Sequence, residues 1–227
     1  MRKNMTAGRQ YFIVSRRAGR YDKCAMFNGL LLIFDTARTW GRIAAAKSSW
    51  LFVLLSHLLP LLLLISLVEG YSLMQSGRTI EELHRVKKFG LMEISVFEAV
   101  QFLLTVAVVF FSAKLIQSMA STFHDRLPFK QPFATVAYGL SPLFLLRFFD
   151  AIPGLSPWIT WGVGIILSIA ILYHGVPLIM QPDPPHAFGL YLTSSLLLFL
   201  TTGLIRLVTI WYLVGKFERF ENLIPSH

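Results

Sequence analysis

Arg206 sits inside an apolar run, Phe188 to Val214, where a central arginine costs roughly 2.5 to 3.5 kcal/mol to insert into a bilayer. Two accounts fit it. The guanidinium can face inward, binding an anionic group or pairing with Asp150 or Glu98. Alternatively it snorkels outward from past the midpoint of its run, or closes a purely structural ion pair. Arg147 and Asp150 stand three residues apart, a spacing that lets them meet on one helical face as a local interfacial pair. Glu98 and Gln101 share that spacing early in another apolar run. A carboxyl group there could carry protons, or could reach the membrane surface within one turn of Ile94. His57 is a lone imidazole in the first apolar run, and a hydrogen bond to a neighbouring helix is expected ahead of ligation.

His174, Asp183 and His186 have the donor types of a metal site, but their spacing across prolines matches no metal motif. A polar, proline-stiffened loop is the plainer expectation. His124 and Asp125 are weaker candidates of the same kind. No Gly-x-Ser-x-Gly, His-Glu-x-x-His or glycine-rich phosphate loop is present to orient a nucleophile. The expectation is therefore a protein that is not an enzyme, with no catalytic residue, no cofactor and no bound metal.

The elements that must position these side chains are legible from hydropathy. Trp50 to Val68, Ile94 to Ala113, Phe133 to Phe149, Trp158 to Met180 and Phe188 to Val214 fill nearly half of the 227 residues. A bilayer span takes about 17 to 25 such residues, and in hydrocarbon the backbone must satisfy itself, which selects helices. The fold class expected is all-α: a polytopic membrane helix bundle of five transmembrane helices with an N-terminal amphipathic interfacial helix. A mean hydropathy of +0.60 and 55% apolar residues exceed those of ordinary soluble domains. The remainder is too divided to form a second core. Cys24 is the only cysteine, so no internal disulfide forms. The first apolar run begins too deep in the chain and is too long for a cleaved signal, so it is expected to act as an uncleaved anchor.

The net charge is +9, and ten of the 21 Lys and Arg residues precede Trp50. That placement suits anionic headgroups, and with no nucleic-acid motif beside it, nucleic-acid binding is not expected. Counting positive charge near the spans places the N-terminus in the cytosol and the C-terminus on the opposite side. The expected organisation is a basic flexible segment at 1–26, an amphipathic helix at 27–49, a transmembrane unit at 50–217 and a short tail at 218–227. In the second of these, Leu30, Ile33, Ala37, Trp40 and Ala44 recur at helical spacing. The helix either lies in the cytosolic interface with Trp40 at headgroup depth, or docks on the underside of the bundle.

Two connections are rich in turn formers. Asp150 to Pro157 contains Pro153 and Gly154, and Gln181 to Ala187 contains three prolines, so the third, fourth and fifth spans should be antiparallel neighbours. Pro60, Pro142 and Pro177 each remove a backbone donor and predict kinks. Gly164 and Ser168 form a small-xxx-small pair for close packing. The third span carries Tyr138-Gly-Leu-Ser-Pro142 and the fourth Tyr173-His-Gly-Val-Pro177. With Thr39-Trp40 and Ile43 ahead of five spans, the chain resembles the Yip1 family of five-span membrane proteins from about Leu30 to Phe217, and in particular its bacterial branch. In that comparison Tyr173-x-Gly175 is a turn closing the fourth span. The acidic Asp-Leu-Tyr-Gly-Pro element of many eukaryotic members is absent.

The resemblance implies a non-catalytic scaffold or accessory subunit of a membrane assembly, as a homo-oligomer or within a larger complex, in the bacterial cytoplasmic (inner) membrane. A small-solute transporter with Glu98, Arg206 and His57 along a polar path is the alternative, although an odd span number and no visible inverted repeat disfavour it. An intramembrane lipid-modifying enzyme using His174, Asp183 and His186 is a third.

Overall fold

Each of the five apolar runs is a helix long and apolar enough to cross a membrane: Trp50–Gln75, Leu91–Ser121, Lys130–Ala151, Pro157–Met180 and His186–Trp211. They are the first to fifth spans. A computed structural model of the protein describes residues 25–46, 48–76, 78–80, 85–87, 90–122, 127–152, 154–182 and 184–213. Arg16, Arg17, Arg20 and Lys23 of the basic segment, together with His124, Asp125, Asp183 and the tail at 218–227, lie outside them. The third span is the most enclosed of the five; the first, second and fourth spans pack against it, and the fifth packs mainly against the second and fourth.

Several boundaries differ from the sequence reading, and the second span is one of them: its helix runs Leu91–Thr122, nine residues past Ala113. The first span does not stop at Val68: its helix runs to Ser76, because Glu69 continues a buried stripe of Leu62, Ile65 and Leu73 at helical spacing. Beyond it, β1 (Arg78–Ile80) and β2 (Arg85–Lys87) form a short antiparallel ribbon, with Thr79 opposite Val86. At the other end of the bundle the three-proline connection is shorter than expected. Pro184 begins the last helix, a position where the missing N–H has no partner to lose.

Proline reshapes the first and third spans in different ways. Ahead of Pro60 the first span widens into a π-helical turn at Leu54–Leu58. The third span breaks outright: Lys130–Gly139 and Ser141–Leu146 are separate helices meeting at Leu140, since Pro142 has no N–H for the Tyr138 carbonyl. It ends in a 3-10 turn, Arg147–Ala151. The chain then reverses through Leu155 N donating to Ile152 O at 3.3 Å, with Gly154 at φ 87°, a conformation that favours glycine. Ser156 and Pro157 open the fourth span. That span runs through Pro177 to Met180 and stops at Gln181 in the left-handed conformation. Tyr173-x-Gly175 is thus not a turn; it lies inside the helix.

The segment before the first span is two helices, α1 (Ala25–Phe34) and α2 (Thr36–Ala46). They separate at Asp35, whose carboxylate accepts from Arg38 N at 3.4 Å, capping α2. The buried face is Leu32, Thr39, Trp40 and Ile43, while Leu30 is exposed, so the face is rotated from the stripe the spacing suggested. Trp40 is fully enclosed by protein. Its indole N–H donates to Ile171 O at 3.0 Å on the fourth span, and a Cβ on Gly175 would stand 2.5 Å from its ring. Glycine at 175 is what lets α2 dock here.

Candidate functional site: a buried charged cluster at one end of the bundle

The 3-10 turn at the end of the third span projects two opposite charges toward two different neighbours. Three residues make one 3-10 turn, so Arg147 and Asp150 leave the same side of the backbone. They do not form the local pair that their spacing suggested. Arg147 reaches the first span, where its Nη2 donates to Glu69 Oε2 at 2.7 Å. Asp150 pairs with Arg206 of the fifth span. Each charge has found a partner on another helix, where the pair is shut away from water.

Arg206 is almost completely buried and does not snorkel. Besides Asp150, its Nη2 donates to Thr160 Oγ1 at 3.1 Å, and its Nε and Nη2 donate to the Pro157 carbonyl at 3.1 and 2.8 Å. Thr160 completes the arrangement by donating to Asp150. The first turn of the fourth span thus supplies a hydroxyl and a carbonyl to an ion pair between its two neighbours. A buried pair repays its desolvation only when its remaining donors and acceptors are satisfied in this manner. Ser72 of the first span donates to Ala151 O, pinning the turn that carries Asp150.

On the other flank, Glu69 Oε2 also accepts from Gln101 Nε2 at 3.4 Å. Glu98, three residues before Gln101, is buried and lies beside Glu69, Arg147 and Ser66. It does not reach the surface of the bundle. Leu73, Ile94 and Phe97 form a small apolar cluster between the same two spans. Between the second, third and fifth spans, and closed on one side by Trp161 of the fourth, lies a cavity of about 50 Å³ whose polar lining includes Gln101, Thr105, Arg147, Thr202 and Arg206. A water needs roughly 10–15 Å³ measured this way, so the cavity has room for a few.

The remaining sequence candidates lie elsewhere. His57 is fully buried, its Nε2 2.9 Å from Ser141 Oγ, and it stacks on Tyr138 with centroids 4.3 Å apart. The expected hydrogen bond to a neighbouring helix is there. His174 is exposed on the fourth span, edge-on to Tyr173, and His186 begins the fifth span. Among the described residues no three His, Cys, Asp or Glu side chains come close enough to hold a metal ion. Gly164 approaches the third span as its small-xxx-small spacing suggested: a Cβ there would stand 2.9 Å from Leu143 Cα. Sequence reading missed Glu69 and Thr160. The signal for Glu69 was present, a carboxylate in register with Leu62, Ile65 and Leu73. For Thr160 there was none, since a threonine near a helix start is commonplace.

What this cluster can do is hold three carboxylates and two guanidinium groups within a membrane-competent bundle, and link four spans through them. Neither the curated proteins nor the solved structures compared with the chain gave a match. The Yip1 domain family model matches residues 30–205. That span takes in α1 from Leu30, α2, the broken third span and Arg147, Asp150 and Thr160; together with the five membrane-competent helices it makes the chain an integral membrane protein that belongs to the Yip1 family.

Proposed function

We propose that this Yip1-family protein is a non-catalytic scaffold or accessory subunit of a membrane assembly. The observation that carries the reading is the use made of its intramembrane charge: Arg147 and Arg206 are both engaged by carboxylates of the same chain. Such pairs fix helices in place and leave the outer faces of the bundle apolar. Leu55, Leu67, Leu103, Phe111 and Leu204 are exposed on the first, second and fifth spans, surface suited to lipid or to helices of another subunit or a second copy.

The same reading places the protein in a bacterial cytoplasmic membrane, N-terminus in the cytosol and C-terminus opposite, with the basic N-terminal segment against anionic headgroups. Purification in mild detergent tests the assembly: the expected result is an oligomer or a reproducible co-purifying membrane protein. A strictly monomeric particle with no partner would argue against it. Cys24, as the only cysteine, is a single-site reporter of sidedness. An impermeant maleimide should spare it in intact cells and label it in inverted vesicles.

A transporter for a small solute is the second reading, favoured by one observation: Gln101, Thr105, Thr202 and Arg206 line a cavity rather than facing lipid. Uptake of a labelled solute into proteoliposomes, abolished by closing the cavity with Thr105→Leu, would move the balance to it.

A further inference from the structure

The charged cluster does not balance. Glu69, Glu98 and Asp150 face Arg147 and Arg206, leaving one negative charge over. Hydrogen bonding is lopsided in the same direction. Glu69 Oε1, both oxygens of Glu98 and Gln101 Oε1 are buried acceptors without a hydrogen-bond partner among the described residues, whereas the one unmatched donor among these groups is Arg147 Nε. Ser66 lies beside the Glu98 carboxyl, yet neither oxygen meets a donor in hydrogen-bonding geometry. Glu98 and Gln101 are more than nine-tenths buried. An uncompensated charge held this way is strongly disfavoured.

We propose that Glu98, with Glu69 Oε1 and Gln101 Oε1 beside it, forms a binding site for a single positive charge, taken up as a proton or as a monovalent cation. Water alone could supply donors but would leave the excess charge. Among the described residues no three carboxylate, imidazole or thiol groups converge, so a multi-carboxylate divalent site does not fit. The placement is built in. Glu98 and Gln101 lie on one helical face, and the backbone of the first span comes close enough that a Cβ on Gly70 would stand 3.5 Å from Glu98 Cγ. Glu69 then brings Arg147 against the far side. The charged groups facing Glu98 are thus Glu69 from the first span and Arg147 from the third, with Asp150 behind Arg147. The site goes beyond the scaffold reading, and its failure would leave that reading standing.

The test is labelling of the full-length protein in liposomes with a hydrophobic carbodiimide, which reacts with a protonated carboxyl group and not with an ionised one, followed by peptide mapping. Label on Glu98 that rises as pH is lowered and ignores sodium and potassium identifies the ligand as a proton. Label that either ion displaces, with a matching rise in melting temperature, identifies a monovalent cation. Glu98→Gln should abolish the label while keeping the side-chain shape. If that variant fails to fold, the peptide map of the natural chain decides alone. No label on Glu98 at any pH, together with a melting temperature indifferent to sodium and potassium, overturns the proposal. So does undiminished label in a folded Glu98→Gln protein.

Discussion

At one end of the bundle the first, third and fifth spans are joined by ions: Glu69 to Arg147, and Asp150 to Arg206. About 18 Å along the first span, at 1.5 Å per residue, the joint is made by an imidazole, a hydroxyl and a phenol ring. There His57 meets Ser141 and Tyr138, α1 closes over them through Gly29, where a Cβ would stand 2.9 Å from the imidazole, and α2 docks through Trp40. This second joint is built on backbone irregularity. It uses the π-helical turn before Pro60 and the break before Pro142, sites where a rigid helix could not bring the groups together. The charged end needs only the tight last turn of the third span, because long side chains cover the distance. The two joints differ in what happens when one partner is removed. An orphaned ion is held in a medium that cannot solvate it, whereas a hydroxyl or imidazole that loses its partner forfeits hydrogen bonding, worth about 0.5–1.5 kcal/mol a bond.

Arg147→Met tests the contrast most severely. It leaves Glu69 and Glu98 adjacent and buried with no cation between them. The expected loss is at the upper end of the about 3–5 kcal/mol seen for broken buried pairs, read as a fall in melting temperature in detergent. Glu69→Gln should be milder, since Arg147 still faces Glu98. Equal losses for the two would mean that Glu98 does not share the guanidinium. Arg206→Met comes next, at about 3 kcal/mol for the stranded Asp150. Adding Asp150→Leu should restore much of that loss, because an apolar pair carries no desolvation penalty. A double variant as unstable as the single one would show that the Pro157 and Thr160 contacts, not the ion pair, hold the fifth span.

How much of this was legible in the sequence follows from the same physics. The five spans were, because hydrocarbon imposes length and composition directly. His57 was too, since a lone imidazole in a span must find a hydrogen bond. Arg147 and Asp150 were singled out, but spacing alone gave them to each other. Which of several buried opposite charges pair depends on helix rotation, and one sequence does not carry it. Glu69 was lost for a narrower reason: a span ended at its first charge hides any charge that faces inward. A turn at Tyr173-His-Gly175 rests on the family resemblance alone, whereas in the structure the glycine lies inside the helix and makes room for an indole from α2.

That indole carries the third prediction. Gly175→Ala places a methyl where Trp40 ring atoms stand 2.5 Å away, so α2 must shift or the fourth span must bend. Overpacking of this kind costs about 1–3 kcal/mol. In a Trp40→Ala background the same change should cost almost nothing, and the double-mutant cycle isolates the contact. Additive losses would mean that Gly175 matters for some feature of the fourth span itself, Pro177 being the nearest.

The smallest effect belongs to the joint at His57. Ser141→Ala removes the hydroxyl 2.9 Å from His57 Nε2 and leaves the stack on Tyr138 in place. The net worth of one such hydrogen bond is about 0.5–1.5 kcal/mol, and the hydroxyl's other contact, its donation to Ala137 O, is long at 3.4 Å. The melting temperature should therefore fall less than in any variant of the charged end. His57→Phe, which keeps the ring and deletes both nitrogens, should behave like Ser141→Ala, and combining the two should add little. A loss in Ser141→Ala as large as that of Arg206→Met would mean that the imidazole is charged. The contrast between an ionic end and a hydrogen-bonded joint would then disappear.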